Sequence, residues 1–220
     1  MAEAARVVDS PEAAGLAVSV AAVWAVEGVA SVGAVVASVA EAADSVVAAP
    51  REVGDMNFRR VLRHLLMTRW QERRAFPASA LGAIREAITG SERRHSGQIR
   101  FAVEGALHGM RLLRGQSPRQ RALEVFANLH LWDTERRNGV LIYLLLADRA
   151  VEIVVDRGAH LCAETAHWQR ICRDMEAMFR DGRYPDGVIG GIEAVTQVMS
   201  EHFPATGPPD RNLPDDPVVM

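Results

Sequence analysis

The run GVLIYLLLA, residues 139–147, restricts the fold more than any other stretch of the chain. Its nine residues are unbroken in apolar character, and a helix that crosses a bilayer needs about 20. The run must therefore be buried inside the protein. Bounded by Asn138 on one side and Asp148-Arg149 on the other, it suits a strand covered on both faces. Residues 150–155, AVEIVV, give a second strand. The connection between the two is so short that they must pair as an antiparallel hairpin.

Upstream, GQIRFAVEGA alternates Ile99, Phe101 and Val103 with Arg100 and Glu104, the period-two pattern of a strand with one buried face. SPRQRALEVFANLHLW follows as a helix, with Ser117 as N-cap, Pro118 at the first helical position and Gln120 completing a capping box. Ala122, Val125, Phe126 and Leu129 form its core stripe. A strand that reaches the next through a crossover helix runs parallel to it, and the crossover is right-handed.

Flanking helices complete the domain. NFRRVLRHLLMTRWQERRAF places Phe58, Val61, Leu62, Leu65, Leu66 and Trp70 on one stripe among arginines. The stripe is expected to dock on its own domain; the alternative is peripheral contact of residues 58–74 with an anionic membrane surface. A second helix follows Pro77, carrying Leu81, Ile84 and Ile88 and running out at Gly90. After the hairpin come one long helix over HLCAETAHWQRICRDMEAMFRDG and another over PDGVIGGIEAVTQVMSEHFP. The expected architecture is α/β, a three-layer α/β/α sandwich around a small mixed sheet, in the order ααβαββαα from Met56. Residues 56–204 form the domain, and residues 205–220 a proline-rich acidic tail.

Residues 1–55 read differently. Ala, Val, Gly, Glu and Asp make up 43 of the 55, all encoded by guanine-first codons, so the stretch reads as a low-complexity leader or a mis-assigned start ahead of Met56. Glu27 splits its apolar run, and Glu3, Asp9 and Glu12 spoil a secretory signal. All 25 basic residues of the chain are arginine. A net charge of −3 supplies no field of the strength nucleic acid demands, so no nucleic-acid partner is expected. Cys162 and Cys172 read as reduced cysteines of a cytoplasmic protein.

The topology gathers polar residues at one end of the sheet. There the starts of the first two strands and the end of the third meet, bringing in Glu92, His95 and Ser96, then Asp133, Arg136, Arg137 and Asn138, then Asp156, Arg157 and His160. Asp133 and Asp156, with His160, offer ligands to a hard cation such as Ca²⁺ or Mg²⁺. Arg137 and Asn138 offer donors to a phosphate, and His95 with Glu92 an acid/base pair. Plainer roles compete: turn capping for the aspartates, helix capping for Glu92 and His95, and backbone geometry for Asn138. His160, Glu164 and His167 fall at i, i+4 and i+7, a spacing that can hold a transition metal on one helix. Open α/β sheets, however, usually place sites beyond the carboxyl ends of their parallel strands. At that end, Gly105–His108 and Asp148-Arg149 provide only His108 as an acid/base group.

The run RALEVFANLHLWDTERRNGVLIYLLLADRAVEIVVDRG, preceded by SERRHSGQIRFAVE and followed by HWQRICRDMEAMFRDGRYPDGVIGGIEAVTQVMSEHFP, resembles the TPM domain. That family is named for thylakoid-lumen acid-phosphatase-like proteins and their bacterial and animal relatives. The similarity covers about Met56 to Pro204, and Thr134-Glu135-x-x-Asn138-Gly139-Val140-Leu141-Ile142 is its most specific part. The chain looks most like the bacterial branch without a signal peptide or a C-terminal membrane anchor. The resemblance implies an α/β/α fold and, for some members, weak acid phosphatase activity with divalent-cation binding; other members assemble or repair membrane complexes. One departure stands out: exported members carry an aspartate ahead of an early helix, where this chain reads FPASALGAI. Two functions follow as expectations: a non-catalytic interaction or assembly module for a protein partner, or a weak cation-assisted phosphomonoester hydrolase.

Overall fold

The computed structural model describes residues 58–205 and 214–220, so the leader expected over residues 1–55 lies outside the described residues. In chain order the elements are helices α1 (Phe58–Leu66), α2 (Arg69–Ala75) and α3 (Ala78–Ser91), strand β1 (Gln98–Glu104), helices α4 (Met110–Leu113) and α5 (Pro118–Asn128), and the hairpin β2 (Gly139–Leu145) and β3 (Ala150–Val155). Helices α6 (Arg157–His160), α7 (Thr165–Arg180) and α8 (Tyr184–His202) follow, and strand β4 (Val218–Val219) closes the order.

The sheet runs β3-β2-β1-β4. Strands β1 and β2 are parallel, from Gln98 opposite Gly139 to Glu104 opposite Leu145, and β3 returns antiparallel with Val155 opposite Val140. This is the mixed sheet that the sequence predicts. Ile99, Phe101, Val140, Ile142 and Leu144 face α3, α7 and α8, while Leu141, Tyr143, Leu145 and Val154 face α5. Every residue of β2 is buried, as the apolar run requires. Burying each Ile or Leu contributes roughly 1.5–3 kcal/mol, so a strand apolar on both faces needs both layers.

The Ser117-Pro118-Gln120 capping box forms as expected, with Ser117 Oγ accepting from Gln120 N at 3.1 Å. Four features differ from expectation. The first helix is two: Thr68 caps α2, accepting from the Gln71 amide while Gln71 reaches back to the Thr68 backbone, and this second capping box breaks the helix. The long helix after the hairpin is likewise split, so His160 ends α6, Glu164 caps α7 and His167 lies inside α7. Their regular helical spacing is thus lost. Strand β1 is buried on both faces, because Glu104 is satisfied inside the protein rather than by water. Finally, the tail comes back to the sheet: Val218 and Val219 pair in parallel with Ala102 and Val103. Asp215 accepts from Thr89 Oγ1 at 2.6 Å and Asp216 from Arg85 at 3.4 Å, which ties the returning chain to α3.

Candidate functional site

At the amino-terminal end of β1 and β2 the three expected loops do meet. Asn138 Nδ2 donates to Ser96 O at 3.3 Å, Arg136 Nη1 donates to Ser96 Oγ at 3.1 Å, and Gly158 N donates to Arg137 O at 2.8 Å. These contacts hold the loops to one another. Asn138 is buried, its backbone N–H donating to Thr134 Oγ1 at 3.0 Å, so it is a clamp between strand starts rather than an open phosphate donor. Gly139 follows it for a steric reason, since a Cβ there would collide with the Leu131 carbonyl.

No hydrogen bond joins the side chains of Glu92 and His95, the expected acid/base pair. The His95 ring is buried at 1% exposure, and burial drives its pKa down to about 4, with the charge of Arg94 acting the same way and a backbone contact with Gly97 opposing it. A ring held neutral and away from solvent is a poor source of a proton for a leaving group. Glu92 is buried at the C-cap of α3, where its charge acts on Arg100.

Asp156 caps α6, its Oδ1 accepting from Arg157 N at 2.7 Å, while Oδ2 has no hydrogen-bond partner. Burial raises its pKa, opposed by the capping bond and by the charges of Arg137 and Arg157. Arg137 is exposed with φ at 52°, and Asp133 is also exposed. His160 is half-buried with Nδ1 unpartnered. Among the described residues no three His, Cys, Asp or Glu side chains gather into a group able to hold a metal ion, so Asp133, Asp156 and His160 are not such a set.

The carboxyl-terminal end of the strands holds two polar clusters that the sequence does not reveal. In the first, Glu104 Oε2 accepts from Arg121 Nε and from the Tyr143 hydroxyl, each at 2.8 Å. All three residues are buried. In the second, Asp148 in the β2–β3 turn receives Arg60 Nη2 at 2.8 Å and Nε at 2.9 Å, and Arg63 stands 3.5 Å away. Fully buried His64 accepts from Leu107 N through Nδ1 at 2.9 Å. Its Nε2 faces Asp148 Oδ1 at 3.1 Å. Arg60 also donates to Gln116 O at 2.7 Å.

These bonds dock α1 by its polar side. Arg60, Val61 and His64 face the domain, whereas Phe58 (76% exposed), Leu65 (71%) and Leu66 (64%) face outward. Leu62 and, on α2, Trp70 are exposed as well. The expectation that the apolar stripe packs on its own domain is therefore overturned, because Asp148 captures the opposite face of the helix. Arg74 lies over the Trp70 ring at 5.3 Å, and Met110 and Leu113 add apolar surface on α4.

The TPM domain model matches residues 71–198 of the chain. Among solved structures, the BA42 protein of the psychrophilic bacterium Bizionia argentinensis is 27% identical, with a TM-score of 0.58 over 65% of this chain and 94% of that one. The N-terminal domain of a P. gingivalis protein is 25% identical with a TM-score of 0.42, covering 56% of this chain and 79% of that one. A search among curated proteins found none that matches.

Proposed function

Because the chain belongs to the TPM domain family, whose α/β/α frame it shares with the BA42 protein, we propose that it is a non-catalytic interaction or assembly module. The observation that carries this reading is the outward apolar stripe of α1, held there by the Asp148 contacts. An apolar stripe exposed among arginines marks a surface that receives a partner. The polar residues at the other end of the sheet support the same reading, since Asn138 and Ser96 bind loops together and His95 is shut away from solvent. A cytoplasmic setting belongs to the reading too, supported by the free thiols of Cys162 and Cys172 and by their half-buried positions. None of the described helices is long and apolar enough to cross a membrane.

Weak phosphomonoester hydrolysis assisted by a divalent cation is the second reading, favoured by the unpartnered Oδ2 of Asp156 beside Arg137. Ca²⁺ and Mg²⁺ prefer six or more ligands, and among the described residues no three acidic, histidine or cysteine side chains gather at one place. One assay separates the two. The full chain and Asp156→Ala are incubated with p-nitrophenyl phosphate, with and without Ca²⁺, Mg²⁺ and Mn²⁺. Equal background rates and no ion-dependent rise in melting temperature are expected. Ion-dependent hydrolysis that disappears in Asp156→Ala would establish the hydrolase and end the interaction reading.

A further inference from the structure

We propose that the outward face of α1 and α2 docks on the surface of an anionic lipid bilayer, an inference that rests on reading the chain as an interaction module. The geometry of α1 comes first. Phe58, Leu62, Leu65 and Leu66 stand at helical spacings that place them within about 100° of one another around the axis. The docked residues Arg60 and His64 lie on the opposite side. The stripe thus points away from the domain, free to enter the boundary between headgroups and acyl chains. Met110 and Leu113 are exposed on α4, which packs against α1, and Trp70 is exposed on α2, tryptophan being a residue of that boundary layer.

Charge selects the kind of surface. Arg59, Arg63, Arg69, Arg73, Arg111 and Arg114 are all exposed around the stripe. Within residues 58–75 and 108–115 the only acid is the half-buried Glu72, set against Gly105, while Arg63 stands 3.5 Å from Asp148 and Arg111 3.5 Å from Glu124. Guanidinium groups match phosphate oxygens in bidentate geometry, and their long stems let the heads reach the phosphates while the apolar residues sink. A second copy of this chain fits less well, because an isologous contact would set one row of arginines against its twin. An extended lipid surface satisfies the apolar stripe and the arginine rim together.

The test is co-sedimentation of the full chain with vesicles of equimolar phosphatidylcholine and phosphatidylglycerol, compared with phosphatidylcholine alone. Binding is expected to be about tenfold or more stronger to the anionic vesicles and to weaken as salt rises. Leu65→Glu with Leu66→Glu should reduce it about tenfold or more, with melting temperature and circular dichroism unchanged because both side chains are already in water. Arg69→Glu with Arg73→Glu should act alike. Equal binding to both lipids, no binding to either, or no effect of the leucine variant would overturn the proposal. If vesicles fail while the same leucine variant abolishes self-association or capture of a protein, the lipid surface is refuted and the interaction module stands. The hydrolysis assay reads that module independently.

Discussion

Replacing Asp148 with Asn tests the contact that turns α1 outward. The side chain is 8% exposed and receives Arg60 through two nitrogens, with His64 behind it. Burial alone would raise its pKa, but contact with His64 and with the Arg60 guanidinium outweighs burial and holds it at about 2, against the ordinary 3.8. At roughly 1.4 kcal/mol per unit, that depression is worth roughly 2 kcal/mol at neutral pH. Asn keeps the volume and loses the charge, leaving Arg60 unneutralised. The expected outcome at pH 7 is a loss of about 2 kcal/mol, or a melting temperature lower by about 4–8 °C for a domain of this size. Amide exchange over residues 58–66 should also speed up. Because the folded pKa lies below the unfolded one, the stabilisation is present above about pH 4 and fades as pH falls toward 2, so wild type and variant should converge in acid. Equal melting temperatures at pH 7 together with unchanged exchange in α1, or a difference that persists undiminished to pH 2, would refute the reasoning.

Three further outcomes are expected. Burial lowers the His95 pKa from 6.5 to about 4, so the unfolded chain binds the extra proton between those values. Stability should therefore fall by up to about 3 kcal/mol from pH 6.5 to 4, and urea melts of His95→Leu should lack that slope. Gly139→Ala drives a methyl group into the Leu131 carbonyl at the start of β2, and thermal melts should show a loss of about 3 kcal/mol or a chain that fails to fold. Tyr143→Phe removes one of two donors to Glu104 but leaves Arg121 in place, so chemical denaturation should register a loss of about 1 kcal/mol.

Much of the frame was legible because it rests on local signals. The apolar run of β2, the short hairpin and the Ser117 capping box each carry their own instructions, and the parallel pairing of β1 with β2 follows from the helix between them. What escaped depends on partners distant in sequence. His64 and Asp148 lie 84 positions apart, and the helical pattern of α1 tells which residues share a face but not which face the domain will accept. The apolar stripe invited burial; a buried carboxylate with two arginines and a histidine to receive took the other side. The one available signal was His64 and Arg60 alternating with the stripe, opposite a hairpin turn that carries an acid. Glu104 misled in the same way, since period-two alternation marks a solvent face only until Arg121 and Tyr143 meet the carboxylate inside. The convergence of three loops at the amino-terminal ends of the strands was legible from topology, but the use of Asn138 and Asp156 as clamps and caps depends on hydrogen bonds that spacing does not encode.

The most direct test of the outward stripe is thiol labelling of Leu65→Cys in the full chain, localised by mass spectrometry to separate it from Cys162 and Cys172. Leu65 is 71% exposed, so the new thiol should react at a rate close to that of a free cysteine and become protected when anionic vesicles are added, but not with phosphatidylcholine alone. A thiol at position 65 that reacts slowly in the chain by itself would mean that the stripe is covered, and would contradict the account.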